Sequence, residues 1–243
     1  MLTARGITKE YAGTPVVQDI SLTLRDGELV SLIGMSGVGK TTLFHVLAGV
    51  SNPEHGQVLL DDTDVTGHPG SVSYMLQKDL LLLHKTILDN VSLPLVIRGK
   101  QKREARTTAL PYFEIFGIKG CENKYPNQLS GGMRQRAALL RTYLFSSKVL
   151  LLDEPFSALD AMTKSELHRW YLEISGKMGF STLFITHDID EAIRLSNRVY
   201  VMAGVPGRIV GEVEISAPHP RDDAFITSPE FGQYKKELLG RLG

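Results

Sequence analysis

The sequence predicts an α/β fold: a parallel sheet with crossover helices, an antiparallel β portion near the N-terminus and an inserted helical subdomain. Three observations predict it. Short apolar runs of the length of buried strands recur at Leu29 to Ile33, Val149 to Leu152, Thr182 to Ile185 and Val199 to Met202. A helical pattern from about Ala161 to Met178 separates the second run from the third, as a parallel crossover requires. From about Thr86 to Phe145 the β-branched runs thin out and helical spacing takes over.

In chain order, Val16 to Leu24 and Leu29 to Ile33 read as strands with Asp26-Gly27 as the turn signal, so a hairpin-like start is expected. Gly34 to Thr42 interrupts the pattern with three glycines. Thr41 to Val50 then resumes at helical spacing with Leu43, Val46, Leu47 and Val50 on one side. Val58 to Leu60 and Val72 to Leu76 are further short strands, parted by the turn-rich stretch Asp61 to Gly70. The helical insertion is expected to break at Gly99, Pro111, Gly117 and the Pro126 to Gly132 loop. The expected organisation is one domain over 1–243, with a core at about 1–85 and 147–243 and a helical subdomain at about 86–146.

Composition narrows the function classes. With 243 residues, 42% of them hydrophobic and 22% charged, the chain can hide roughly 70–75% of its unfolded surface without disulfides. The single cysteine, Cys121, and the lack of an N-terminal apolar segment point to a reducing, cytoplasmic location. Lys plus Arg and Asp plus Glu are balanced at 27 each, which argues against a nucleic-acid partner. Apolar runs such as Leu80 to Leu83 fall far short of the ~20 residues that cross a bilayer, so a membrane role would pass through a partner.

Gly34-Met35-Ser36-Gly37-Val38-Gly39-Lys40-Thr41 follows an apolar strand and opens a helix, the context of a phosphate-binding loop. Its glycines let the backbone approach phosphate, Lys40 supplies a point charge, and Thr41 offers a hydroxyl to Mg²⁺. Val149 to Leu152 ends in Asp153-Glu154, two carboxylates at the carboxyl end of a buried strand, where nucleotides sit in open α/β sheets. Asp153 is placed to hold Mg²⁺ and Glu154 to polarise an attacking water. These motifs make the fold class a phosphate-loop NTPase core.

Leu129-Ser130-Gly131-Gly132-Met133-Arg134-Gln135-Arg136 resembles the signature of the ATP-binding cassette family, and the resemblance spans nearly the whole chain. Ser130 at a helix start, with two glycines behind it, is a second anion site by its own chemistry. The resemblance implies that Ser130, Gly131, Gly132 and Gln135 clasp the ATP held by another subunit's Gly34, Ser36, Gly37, Gly39, Lys40, Thr41 and Thr42, in a head-to-tail homodimer. It further implies adenine stacking for Tyr11, contact with Mg²⁺ and the attacking water for Gln77, a seam-crossing loop at Ser157 to Asp160, and γ-phosphate contact for His187.

The segment after Gln77, from Lys78 to Val91, carries four consecutive leucines, Leu80 to Leu83. In the family this segment docks on a membrane subunit, which implies exposed apolar surface along Leu80 to Leu83, with Leu81 and Leu82 as the residues to test. The alternative is that the leucines are core between two subdomains, two facing in and two out. Together with Tyr125-Pro126-Asn127-Gln128 and the short tail, it resembles the nitrate, sulfonate and taurine group of bacterial importers, which includes thiamine-precursor transporters. Many of that group read Pro-Trp where this chain has Leu83-His84. Some 40 residues follow the last strand region, too few for the regulatory domain of sugar-importing relatives. The resemblance thus implies an ATP hydrolase at the cytoplasmic face of the membrane. Its partners would be a permease and, indirectly, a solute-binding protein. The alternatives are the ATPase of an exporter or a soluble, non-transport cassette.

Overall fold

The computed structural model describes residues 1–145 and 148–242. The chain opens with an antiparallel pair, β1 (Leu2–Tyr11) and β2 (Thr14–Leu24). β3 (Leu29–Gly34) leaves that pair for a second sheet, because all six of its residues are buried and a strand buried on both faces belongs at a sheet's centre. The hairpin expected between Val16–Leu24 and Leu29–Ile33 is therefore not formed. The turn at Asp26-Gly27 passes the chain between sheets, and β2 instead pairs with β1, whose register shifts obscure its period-2 pattern.

After β3 come α1 (Lys40–Leu47), β4 (His55–Leu60), β5 (Thr63–Asp64) and β6 (Ser73–Met75). Leu43, Val46 and Leu47 are buried as their spacing predicts, but Val50 lies beyond the helix end and is 63% exposed. The first sheet has the order β2-β1-β4-β5, and its apolar face shares one core cluster with α1 and β3.

The insertion holds α2 (Ile87–Ile97), α3 (Lys102–Ile115) and α4 (Gly131–Phe145). α3 runs through Pro111 without breaking. Ala105, Ala109 and Phe113, one turn apart on the buried face, hold it against the core and offset the lost backbone hydrogen bond. Phe113, Phe116 and Tyr143 lie in one cluster with Met75, Leu150, Leu152 and Phe184, so the helices share a core with the sheet. The boundary expected between 146 and 147 falls on Ser146 and Ser147, outside the described residues.

The remainder comprises β7 (Val149–Asp153), α5 (Ala161–Met178), β8 (Ser181–Ile185), α6 (Ile189–Leu195), β9 (Arg198–Ala203), β10 (Arg208–Glu214), α7 (Asp223–Ile226) and α8 (Pro229–Leu242). α5 has the expected bounds, with Asp160 as N-cap and Gly179 in the left-handed region as C-cap. The second sheet has the order β10-β9-β3-β8-β7-β6 and is parallel except for β10. Four adjacent parallel strands, β3, β8, β7 and β6, therefore end side by side, and each leads into a functional segment.

Candidate functional site

β3 delivers Gly34 and the phosphate loop. Gly39 caps α1 at φ 104°. A Cβ there would meet Val17 Cγ1 at 2.6 Å, so the glycine answers both a backbone and a packing demand. α1 has no side-chain cap and no acidic residue in its first turn, leaving its N-terminal N–H groups and positive dipole end for an anion. Lys40 is 8% exposed, and its Nζ donates to the carbonyls of Gly34 at 2.7 Å and Met35 at 2.9 Å. Burial lowers its pKa, with Glu154 and Asp153 opposing that shift.

β7 ends at Asp153, whose Oδ2 accepts from Thr41 Oγ1 at 2.9 Å and from Tyr74 Oη at 3.4 Å. Burial raises the Asp153 carboxyl above its usual range, the Thr41 bond opposes the shift and the neighbouring Glu154 charge adds to it. Burial also pushes the Tyr74 hydroxyl far up, with the Asp153 charge adding to it, so Tyr74 remains a donor. Glu154 sits at φ 46° with its N–H on Ile185 O at 3.1 Å, which ties the β7 end to β8. Gln77 Nε2 donates to Glu154 Oε2 at 2.9 Å, and His187 Nδ1 lies 3.3 Å from Glu154 Oε1.

Ser36, Gly37, Gly39, Lys40, Thr41, Thr42, Gln77, Asp153, Glu154 and His187 line one cleft of about 500 Å³. Ten residues expected at a nucleotide site thus converge from four segments of the chain. The Thr41 hydroxyl and Asp153 carboxylate form a hard oxygen pair, which suits an ion that keeps several waters and shares phosphate oxygens. Among the described residues, no group of three or more His, Cys, Asp and Glu could hold a metal ion by itself.

Other expected residues lie elsewhere. Tyr11, 48% exposed at the end of β1, lies outside the cleft lining, with Lys9 Nζ 5.3 Å from its ring centroid. Ser130, Gly131, Gly132 and Asp160 are also outside that lining. Ser130 Oγ accepts from Met133 N at 3.3 Å, the local geometry of a helix start. A Cβ on Gly132 would lie 3.0 Å from Thr163 Cγ2, and one on Gly131 3.3 Å from Leu159 Cδ2, so Gly131 admits the loop before α5 and Gly132 the first turn of α5. Gln135 departs from the expectation of nucleotide contact. It is 8% exposed and its amide donates to Pro155 O, tying α4 to the turn after β7.

The leucine run also sorts differently. Leu81 is 5% exposed and Leu82 half-buried, whereas Leu80 and Leu83 are 51% and 72% exposed. Two residues without a distinctive sequence signal decide this. The fully buried Asn90 side chain bonds Leu82 N and O, Lys85 O and Thr86 O. Arg141 donates to Leu80 O at 2.8 Å and to Asp79 O. Leu80 and Leu82 then form part of an apolar groove of about 480 Å³, with Val50, Leu76, Tyr74 and Ile97 also in its wall.

Comparison with known proteins agrees with this geometry. Residues 17–157 match the profile described as ABC transporter. The chain is 40% identical over 239 residues to the formylaminopyrimidine import ATP-binding protein ThiZ of Halalkalibacterium halodurans, covering 98% of this chain and 93% of that protein. It is 41% identical over 223 residues to the sulfate/thiosulfate import ATP-binding protein CysA 2 of Rhizobium meliloti, covering 89% of this chain and 61% of that one. A solved ATP-binding cassette, dimeric and bound to ADP and inorganic phosphate, superposes with a TM-score of 0.75 at 26% identity, covering 90% of this chain and all of that one.

Proposed function

The chain belongs to the ABC transporter family as an ATP-hydrolysing cassette; from that premise we propose that it energises uptake of a small solute through a membrane permease. The solute is of the nitrate, sulfonate, taurine or thiamine-precursor type. One observation carries the reading. A phosphate loop, two strand-end carboxylates, Gln77 and His187 share one cleft, while the Ser130-Gly131-Gly132 helix start lies outside it. A single chain then holds half of each of two sites, and a head-to-tail homodimer completes both.

In this reading the α1 N-terminus and Lys40 bind the phosphates of ATP, and Tyr11 stacks on the adenine. Thr41, Asp153 and Gln77 would hold Mg²⁺, which would supply charge neutralisation for the phosphates. Glu154 takes the proton of the attacking water, held in place by Gln77 and His187. Ser130, Gly131 and Gly132 approach the opposing γ-phosphate, with Asp160 at the seam. Core residues 1–85 and 147–243 and a helical subdomain at 86–146 act as one unit.

Ser130→Arg tests the divided site. The variant is expected to bind ATP as a monomer with parental affinity, because Ser130 lies outside the cleft. It should fail to form an ATP-dependent dimer, because the bulky side chain fills the place of the opposing phosphate. Fluorescence titration and size-exclusion chromatography read the two effects. Loss of monomer affinity would put both motifs at one site within a single chain.

No helix among the described residues is long and apolar enough to cross a membrane. Attachment to the cytoplasmic face then runs through the permease, on the apolar groove beside the leucine run. Leu80→Asp removes a half-exposed groove wall residue at φ 45°, a backbone region Asp tolerates better than Leu. Co-purification with the permease is expected to weaken about tenfold, since covering such a leucine is worth about 1.5 kcal/mol. Thermal stability and basal ATP hydrolysis should hold. Parental assembly would show that the groove is not the docking surface. Gene neighbourhood separates import from the exporter reading, since a binding protein beside the permease marks an importer.

A further inference from the structure

We propose that Tyr74 is a positioning residue for the metal-binding carboxylate, its hydroxyl steadying Asp153 while its ring forms part of the wall of the apolar groove. The inference deepens the proposed reading of the cleft and rests on Asp153 holding Mg²⁺ there. Tyr74 lies on β6, paired in parallel register with Leu151 of β7, two residues before Asp153. Its Oη donates to Asp153 Oδ2 at 3.4 Å, the same oxygen that accepts from Thr41 Oγ1 at 2.9 Å.

Two donors on one oxygen restrain the carboxylate about its Cβ–Cγ bond and leave Oδ1 free of either. In the proposed site Thr41 would share its hydroxyl oxygen with the ion, so Tyr74 adds a second donor that the ion does not engage. The ring that carries the Tyr74 hydroxyl is itself fixed, with Phe44 and His45 of α1 packed edge-on at centroid distances of 6.1 and 5.8 Å. α1 is the helix that the phosphate loop opens, so the carboxylate, the loop and the tyrosine are held in one frame.

The ring also lines the groove beside Leu80 and Leu82. One side chain therefore touches the apolar surface on one side and a nucleotide-site carboxylate on the other. At 3.4 Å the hydroxyl bond is long, so a small shift of the groove wall makes or breaks it. A phenylalanine would keep the ring contacts and remove the bond alone.

The test uses the full chain, with a fluorescent trinitrophenyl-ATP titrated at a series of Mg²⁺ concentrations and in EDTA, and with thermal unfolding of each variant. Tyr74→Phe is expected to raise the Mg²⁺ concentration for half-maximal tight binding about three- to tenfold, the loss of one long hydrogen bond of ordinary net strength. Binding in EDTA should stay within twofold of the parent and the unfolding midpoint should be unchanged. Asp153→Asn, run alongside, should shift the Mg²⁺ dependence further. A parental Mg²⁺ dependence in Tyr74→Phe, with Asp153→Asn shifted, would overturn the inference and leave the site reading standing. Equal weakening with Mg²⁺ and in EDTA would show that Tyr74 only packs, and overturn it as well. An unshifted Asp153→Asn would remove the reading of Asp153 itself.

Discussion

Glu154→Gln is expected to lower ATP turnover by about 10²–10⁴ while ATP still binds. Three independent contacts fix Glu154 in the cleft. Its backbone N–H is fixed on Ile185 O, Gln77 holds Oε2 and His187 faces Oε1. Glutamine matches glutamate in shape and can keep one acceptor toward Gln77 or His187, but its amide cannot take a proton from water. The fold should therefore be preserved. With hydrolysis blocked, contacts across the seam persist, and the variant should accumulate as a dimer in size-exclusion chromatography with ATP and Mg²⁺. Turnover within threefold of the parent would remove Glu154 as the base. A monomeric profile at high concentration, despite bound nucleotide, would count against the two-subunit site.

Lys40→Ala should weaken ATP binding about 10- to 100-fold, measured by fluorescence titration. The side chain is almost fully buried, and its charge is held at the cleft by two backbone carbonyls, Gly34 O and Met35 O. A hydrogen bond to a charged partner is worth about 1.5–3 kcal/mol, and 1.4 kcal/mol is a factor of ten in affinity. The α1 N-terminus still attracts phosphate in the variant, which keeps the expected loss finite. Water entering from the cleft can meet the two carbonyls, so the unfolding midpoint should move little. A change in affinity below twofold would falsify the phosphate-loop assignment.

Much of the cleft's lining was legible because its motifs are local. Gly34 to Thr41 carries its own loop, helix start and charge, and Asp153-Glu154 is delivered by the strand immediately before it. α5 was readable end to end, since Asp160 and Gly179 cap it by chemistry that belongs to those residues alone. Where reading failed, a distant partner decided. The resemblance assigns Gln135 to another subunit's nucleotide, yet Pro155, remote in sequence, claims its amide. Val50 fitted the helical period, yet α1 ends before it and the residue becomes groove wall.

The sequence by itself marked the candidate residues, because phosphate loops, strand-end carboxylates and helix starts are short stretches whose hydrogen-bonding groups act on their own neighbours. Only the tertiary structure decided how those stretches meet. Lys40, Gln77, Asp153 and His187 share a cleft because β3, β6, β7 and β8 lie side by side in parallel register. That strand order follows from which strands can be buried on both faces, a property of the assembled layers. The same holds for the leucine run. Four identical side chains in succession carry no inward or outward preference, and the hydrogen bonds of Asn90 and Arg141 to the backbone turn Leu81 inward and Leu80 out.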